Sequence, residues 1–221
     1  MDKLYAIINN IQISFQVLLW VCVFFWIDFD IFTYILNDYF IIKSIFGISL
    51  IICHLYLFVY LYRLVKVDSI YKIDNDKELE NISEKHDFTS CKKCNLFRPK
   101  RSHHCRYCNK CILDMDHHCF TLNKCIGKNN YNIYIKYLIF VELNTSLLFG
   151  LCLYVCYNYY AELSLYALIK YVLLCIASFL GSTTLYFYLL FQAYLYFSNM
   201  TTLEFIYPKL RINTHILNPY I

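Results

Sequence analysis

The chain has 221 residues, of which 59% are apolar, and carries a formal net charge of +4. Its apolar residues lie in long blocks, which argues against a soluble helical core, because helices of that kind show polar faces at helical spacing. Four blocks contain no Asp, Glu, Lys or Arg: residues 4–27, 44–62, 143–161 and 171–203. Since a bilayer core needs roughly 20 such residues per helix, the sequence predicts an all-α membrane protein with four transmembrane helices.

Basic residues concentrate in the middle of the chain. Fifteen of the 20 Lys and Arg residues lie between Arg63 and Lys136, whereas the loop between the first two predicted spans contains Asp28, Asp30 and Asp38. Cytoplasmic loops of membrane proteins are enriched in Lys and Arg. We therefore expect the central segment, and with four spans both termini, to be cytosolic. The expected location is an endomembrane, of the Golgi or the endoplasmic reticulum.

Five segments follow from this pattern. Residues 1–66 are predicted to form the first two spans, 67–90 a cytosolic linker, 91–134 a cysteine-rich domain, 135–197 the last two spans, and 198–221 a cytosolic tail. The linker is charged, mixed in sign and without a clear apolar face. Glu142 precedes the third apolar block, and we expect it to lie near the cytosolic end of that helix and reach toward water. We find no internal repeat.

The segment from Cys91 to Cys125 is rich in metal-ligand residues. It contains seven cysteines (91, 94, 105, 108, 111, 119 and 125) and four histidines (103, 104, 117 and 118). In a reducing cytosol this favours metal binding or catalysis over disulfides. A structural zinc site takes four Cys or His ligands, often through Cys-x2-Cys, so two sites would use eight of the eleven residues. A surplus thiol beside a surplus imidazole is what a nucleophile and its base require, but the count does not say which thiol is surplus.

The spacing of this segment resembles a known family. Residues 91–134 read Cys-x2-Cys-x3-Arg-Pro-x-Arg-x2-His-Cys-x2-Cys-x2-Cys-x4-Asp-His-His-Cys-x5-Cys-x4-Asn-x3-Tyr. This closely resembles the cysteine-rich domain of DHHC-type protein S-acyltransferases, or palmitoyltransferases, which typically have four spans with this domain between the second and third. After the last predicted span, Thr201-Thr202-Leu203-Glu204 is similar to the Thr-Thr-x-Glu motif of the family.

The resemblance implies two structural zinc ions and a nucleophile. One zinc would be bound by Cys91, Cys94, His104 and Cys111, and the other by Cys105, Cys108, His118 and Cys125. Cys119 would then accept the acyl group, with His117 as its base and Asp116 orienting that histidine. His103 has no implied role, and the Thr-Thr-x-Glu motif would support the active site.

The implied co-substrate is a long-chain acyl-CoA such as palmitoyl-CoA. The acyl group would pass from Cys119 to cytosolic cysteines of membrane-associated proteins. Arg98, Arg101 and Lys128 are candidates for binding the CoA phosphates by charge, although each is equally well explained as a topogenic positive charge.

Three alternative functions remain to be weighed. Phe120 and Thr121 stand where the family commonly has Pro-Trp, and Asp68-Ser69-Ile70 stands where Asp-Pro-Gly is expected, so a catalytically impaired zinc scaffold is the alternative. A membrane ubiquitin ligase fits the topology but not the ligand spacing. Nucleic-acid binding is excluded because the spacing of a finger with two Cys and two His ligands is missing.

Overall fold

The structure is a computed structural model that describes residues 40–71 and 88–210. Its helices are α1 (Phe40–Lys66), α2 (Tyr131–Tyr159), α3 (Leu165–Phe197) and the short α4 (Thr202–Ile206), followed by a 3₁₀ turn, Pro208–Leu210. Three segments are long and apolar enough to cross a membrane: Gly47–Lys66, Tyr131–Tyr159 and Leu165–Phe197. The first predicted span, residues 4–27, lies outside the described residues, so the four-span topology stays a prediction.

Helices α2 and α3 both begin earlier than the charge-free blocks that predicted them. The blocks start at residues 143 and 171, whereas the helices start at Tyr131 and Leu165. Glu142 and Lys170 stand immediately before the two charge-free blocks. Both helices nevertheless begin earlier in the chain, because a single charged side chain does not interrupt the backbone hydrogen bonding of an α-helix.

Helix α3 ends at Phe197, six residues before the charge-free block ends at Leu203, and its cap explains this end. Asn199 has a φ of 52°, and its N–H donates to the Tyr196 carbonyl at 3.2 Å. The N–H of Met200 donates to the Leu195 carbonyl at 3.0 Å. These two bonds form a Schellman motif, in which a left-handed residue closes the helix.

The chain divides into two compact units, which we call the helical unit and the hairpin unit. The helical unit comprises the described residues up to Leu61 and Lys136–Leu190, and the hairpin unit comprises Tyr62–Ile135 and the described residues from Phe191. The core of the helical unit is apolar and consists of Leu50, Leu148, Leu151, Cys152, Val155, Leu163, Ala167 and Tyr171. Many of its large apolar side chains are exposed, Phe58, Leu173 and Phe187 among them, as expected of surfaces that face lipid.

Glu142 makes hydrogen bonds between helices. Its Oε1 atom accepts from Ser146 on α2 at 2.8 Å and from Ser182 on α3 at 2.7 Å. The two serine hydroxyls are 2.9 Å apart. Glu142 is the twelfth residue of α2, and its carboxylate accepts from these serines, whereas the sequence led us to expect a side chain that reaches toward water.

Three antiparallel β-hairpins lie in the hairpin unit. Hairpin 1 pairs β1 (Phe88–Cys91) with β2 (Leu96–Pro99), hairpin 2 pairs β3 (His103–Cys105) with β4 (Lys110–Ile112), and hairpin 3 pairs β5 (His117–Cys119) with β6 (Lys124–Ile126). Hairpin 1 therefore begins within the predicted linker, before Cys91.

The hairpins are an internal repeat that we did not detect in the sequence. Equivalent residues are fourteen positions apart, and the pairs that close the turns are Cys91–Leu96, Cys105–Lys110 and Cys119–Lys124. Each four-residue turn ends in an asparagine with positive φ: Asn95 at 50°, Asn109 at 52° and Asn123 at 45°. Asparagine tolerates this backbone conformation better than most residues. The repeat is hidden in the sequence because few other residues are identical in all three copies.

The start of the predicted linker packs on hairpin 2. Ser69 is 2% exposed, and its carbonyl accepts from the Leu113 N–H at 2.8 Å. Ile70 forms an isolated bridge with Ile112, and the Tyr71 N–H donates to the Cys111 carbonyl at 2.8 Å. Residues 67–71 are thus part of the hairpin unit, while residues 72–87 lie outside the described residues.

Candidate active site and metal centres

Two groups of four ligand residues come together in the hairpin unit. The first is Cys91, Cys94, His104 and Cys111, and the second is Cys105, Cys108, His118 and Cys125. Within each group the ligand atoms all lie within 4.8 Å of one another. Each group combines two cysteines of one hairpin turn with a histidine and a cysteine paired across the next hairpin.

The distances in the second group fit a tetrahedral zinc ion. The Nδ1 atom of His118 lies 3.6 Å from the Cys105 sulfur and 3.5 Å from the sulfurs of Cys108 and Cys125. Cys108 and Cys125 have their sulfurs 3.4 Å apart. A tetrahedron with Zn–S of about 2.3 Å and Zn–N of about 2.0 Å has edges of roughly 3.5 to 3.8 Å. These residues therefore fit the edges of a zinc tetrahedron.

The first group has the same donor set and a similar geometry. His104 Nδ1 lies 3.7 Å from the Cys91 sulfur and 3.1 Å from the Cys94 sulfur. Three thiolates and one imidazole suit zinc. Each cluster could therefore hold one zinc ion. Both clusters are closed, with four protein ligands and no position left for water.

Cys119 lies beside a buried carboxylate–histidine pair. Of the seven cysteines from Cys91 to Cys125, all of which the structure describes, Cys119 alone belongs to neither cluster. His117 lies close enough to the Cys119 thiol to lower its pKa, and its Nδ1 atom lies 2.7 Å from Asp116 Oδ2. Asp116 is fully buried. Strand β5 places His117 and Cys119 on the same face of hairpin 3, because side chains alternate along a strand.

The start of helix α4 holds the carboxylate of Asp116. The N–H of Thr202 donates to Oδ1 and the Thr202 hydroxyl donates to Oδ2, both at 2.8 Å. Thr201 and Glu204 form a capping box that fixes this helix start, an arrangement that satisfies two otherwise unpaired N–H groups. The Thr-Thr-x-Glu segment thus positions Asp116 through Thr202.

Arg101 connects the capping box to the end of α3. Its guanidinium donates to Glu204 through Nε at 2.7 Å and through Nη2 at 2.5 Å. It also donates to the Asn199 carbonyl at 3.1 Å. Arg101 and Glu204 are 8% and 2% exposed, so this is a buried ion pair.

The pKa shifts at the site follow from these contacts. Burial alone would lower the pKa of His117, but its hydrogen bonds with Asp116 and Cys119 outweigh burial and raise the pKa to about 9. Burial alone would raise the pKa of Asp116, and the hydrogen bonds from His117 and Thr202 hold it below its usual value. The Cys119 pKa is likewise lowered despite burial, chiefly by its hydrogen bond with His117. These contacts therefore shift the carboxyl, the imidazole and the thiol each toward its charged form.

The three cations suggested for phosphate binding lie in different environments. Arg101 is directed to Glu204 and Asn199, as described above. The Nε and Nη1 atoms of Arg98 are buried without a hydrogen-bond partner among the described residues. Lys128 is 52% exposed, with its Nζ 4.0 Å from Asp114. His103, which had no implied role, likewise has a buried Nε2 atom without a described partner.

Sequence reasoning missed the supporting roles of Ser69 and Asn130. Asn130 is fully buried; its Oδ1 atom accepts from the Ser69 hydroxyl at 2.9 Å, and its amide donates to the Cys125 carbonyl at 3.0 Å. It therefore fixes a zinc-ligand strand to the segment that follows α1. Four residues later, the Tyr134 ring packs edge-on against His117 at 5.4 Å. The Asn-x3-Tyr spacing was the signal that could have located both contacts.

Comparison with known protein families gives one match. A model of the DHHC palmitoyltransferase family matches residues 84–209, more than half of the chain and all of the described hairpins. No curated protein matches the chain. The family match extends beyond the cysteine-rich segment through α2, α3 and α4. The chain therefore belongs to the DHHC palmitoyltransferase family, whose members are known as protein S-acyltransferases.

Proposed function

We propose that this protein transfers a long-chain acyl group from acyl-CoA to cysteines of membrane-associated proteins through an acyl-Cys119 intermediate. The observation that carries the proposal is the Asp116–His117–Cys119 arrangement, with a buried carboxylate 2.7 Å from the histidine and a thiol outside both metal clusters. A nucleophile, its base and a group that orients the base are the parts that covalent acyl transfer requires.

In the first step, the Cys119 thiolate attacks the carbonyl carbon of the acyl-CoA thioester. The bond between that carbon and the CoA sulfur breaks, and the leaving CoA thiolate takes the proton held by His117. In the second step, an acceptor cysteine gives its proton to His117 and attacks the acyl-Cys119 carbonyl. The Cys119 thiolate then leaves, which restores the starting state. Each step exchanges one thioester for another, so no net energy source is needed.

Asp116 acts on the histidine rather than on the substrate. Its hydrogen bond to Nδ1 leaves the opposite ring nitrogen of His117 for the thiol, as in other triads. Thr202 donates two hydrogen bonds to Asp116, which keeps the carboxylate ionised and fixes its orientation. We therefore assign Thr202 as a positioning residue.

The eight cluster residues would bind two structural zinc ions. Zinc supplies folding energy in closed four-ligand sites of this kind and takes no part in the reaction. His118 and Cys125 are ligands on the two strands of hairpin 3, so a metal cluster braces the hairpin that presents Cys119.

Acyl-CoA binding is proposed from charge and chemistry. Arg98, with buried guanidinium atoms that lack a described partner, and the exposed Lys128 are the candidates for its phosphates. Arg101 is instead assigned to the structural ion pair with Glu204. The candidate spans are consistent with a membrane enzyme, and we propose an endomembrane location with the hairpin unit in the cytosol.

The test is formation of the acyl-enzyme. Purified protein with zinc retained is mixed with a labelled palmitoyl-CoA analogue, and the label on the chain is measured for wild type and for Cys119→Ser. We expect label on the wild type only, removable by hydroxylamine, which cleaves thioesters. Cys156→Ser, a change inside α2 and outside both clusters, is the matched control and should keep the label. A wild-type chain that holds two zinc ions but takes no label would mean that the protein is a zinc scaffold.

A further inference from the structure

The turn of hairpin 3 departs from the other two turns at one position. Hairpins 1 and 2 read Cys-x2-Cys-Asn, from Cys91 and from Cys105, whereas hairpin 3 reads Cys-x2-Leu-Asn from Cys119. The second cysteine of each complete turn is a member of a ligand cluster. Leu122 occupies the equivalent position in hairpin 3.

The backbone of hairpin 3 is nevertheless that of a zinc knuckle. Its turn has the same length, the same closing pair and the same positive-φ asparagine as the other two. In hairpin 2 the Cys108 N–H donates to the Cys105 sulfur at 3.4 Å. Leu122 stands in hairpin 3 where Cys108 stands in hairpin 2, and Cys119 stands where Cys105 stands. Cys119 therefore occupies the first position of a knuckle turn without belonging to a metal cluster.

A second potential ligand, His117, is already in place. Strand β5 puts it on the same face of hairpin 3 as Cys119, and its Nδ1 atom lies 2.7 Å from Asp116 Oδ2. Histidines that bind zinc usually donate their second ring N–H to a carboxylate in this way. Only a second thiol is missing from a three-ligand site, and the Leu122 side chain, 5% exposed, fills the position where that thiol would be.

We propose that Cys119 is the first cysteine of a third zinc knuckle that lacks its metal, and that Leu122 determines this by replacing the second cysteine. Leu122 is thus a positioning residue that keeps the Cys119 thiol free of metal and available for acylation. The inference rests on the proposed role of Cys119 as the nucleophile. In this interpretation, Leu122 prevents zinc from binding to the Cys119 thiol and blocking its acylation.

The experiment compares Leu122→Cys with Leu122→Ser under reducing conditions. Serine matches cysteine in size but is a poor zinc ligand, so the pair separates metal binding from the loss of leucine packing. We expect three zinc ions per chain in Leu122→Cys and two in wild type and in Leu122→Ser. After cobalt substitution, thiolate-to-cobalt absorption should rise only in Leu122→Cys. Acyl-enzyme formation should fall at least tenfold further in Leu122→Cys than in Leu122→Ser.

Further variants keep the test decisive. Adding Cys119→Ser to Leu122→Cys should return the zinc count to two. If both small substitutions unfold the hairpin, Leu122→His, closer to leucine in size, should bind the third ion. Two zinc ions and equal acylation in Leu122→Cys and Leu122→Ser would overturn the inference. A third zinc ion in Leu122→Cys, with no acylation of wild type, would retain the knuckle assignment and reject Cys119 as the nucleophile.

Discussion

The hairpin unit and the helical unit are stabilised by different kinds of contact. In the hairpin unit several of the most buried side chains are polar, and each has defined partners: Asp116, Asn130, Thr201 and Glu204. In the helical unit the described core is apolar, and many large apolar side chains are exposed. One unit depends on metal ligands and buried hydrogen bonds, and the other on apolar packing and lipid.

This difference predicts how each unit responds to the loss of one contact. A buried polar group that loses its partner has no water to replace it, so the free energy of unfolding falls by the full desolvation cost. Polar groups in membrane helices find other partners more easily, and single hydrogen bonds there contribute less. Four experiments test this contrast, in order of expected effect.

Zinc removal should have the largest effect and should act on one unit. Binding of structural zinc contributes about 10–16 kcal/mol per site in small domains. A strong chelator should therefore abolish amide protection in the three hairpins, measured by hydrogen exchange, and abolish acyl-enzyme formation. Helical circular dichroism should persist. Re-addition of zinc, but not magnesium, should restore the hairpins; hairpins that stay protected without zinc would contradict the metal assignment.

Asp116→Asn should cause the next largest loss. An amide cannot stabilise the His117 imidazolium and favours the wrong tautomer, which in triads lowers rates by about 10⁴-fold. We expect a fall of about 10³ to 10⁴-fold in the rate of acyl-enzyme formation, measured with a labelled acyl-CoA, with the zinc content unchanged. Asp114→Asn is the control and should change the rate less than threefold. Equal rates for both variants would remove Asp116 from the mechanism.

Arg101→Met should destabilise the hairpin unit. It leaves the Glu204 carboxylate buried without its partner, which costs about 3–5 kcal/mol in buried ion pairs. The loss should appear as faster hydrogen exchange in α4 and the hairpins. Adding Glu204→Met should recover part of it, because no unpaired charge then remains. Arg106→Met, at an exposed arginine, is the control; a similar effect from it would show that the ion pair has no special role.

Glu142→Gln should have the smallest effect. Hydrogen bonds between membrane helices average about 0.6 kcal/mol each, only the Ser182 bond joins two helices, and glutamine keeps an acceptor oxygen. We therefore expect a loss of less than about 1 kcal/mol in reversible unfolding of the protein in bicelles. Thr184→Ala removes a bond to a carbonyl of the same helix and should change stability by less. If Glu142→Gln lowered stability as much as Arg101→Met, the two units would not differ in their response to the loss of a polar contact.

The ligand groups were predicted from the resemblance to the family, and the structure shows that their short-range spacing brings them together. Cys-x2-Cys and His-Cys pairs meet across tight turns, so their neighbours in sequence are also neighbours in space. Both predicted zinc clusters are brought together in the structure, which supports two zinc-binding sites. The helix boundaries were less accurate, because a charge-free block marks the apolar part of a helix and not its hydrogen-bonded ends.

Long-range polar contacts were not predictable in the same way. Arg101 was interpreted as a cation for phosphate, yet its partner Glu204 is 103 residues away. Thr202 and Asp116 are 86 residues apart, and Ser69 and Asn130 are 61 apart. No periodicity links such pairs, and only the fold shows that they meet. The fourteen-residue repeat was detectable in principle, through the asparagine that ends each turn.

The fourteen-residue step also constrains how this segment can change in length. Each ligand cluster takes two cysteines from one hairpin and two residues from the next, so neighbouring copies depend on each other. A one-residue insertion within a strand would move every later ligand to the opposite face, whereas insertion of one whole copy would preserve the alternation. Tandem duplication of a short coding unit is thus a simple route by which such a segment grows. In the last copy Leu122 replaces the second cysteine, and α2 begins at Tyr131 with no further hairpin to supply ligands. It is therefore the copy in which a thiol is left for chemistry.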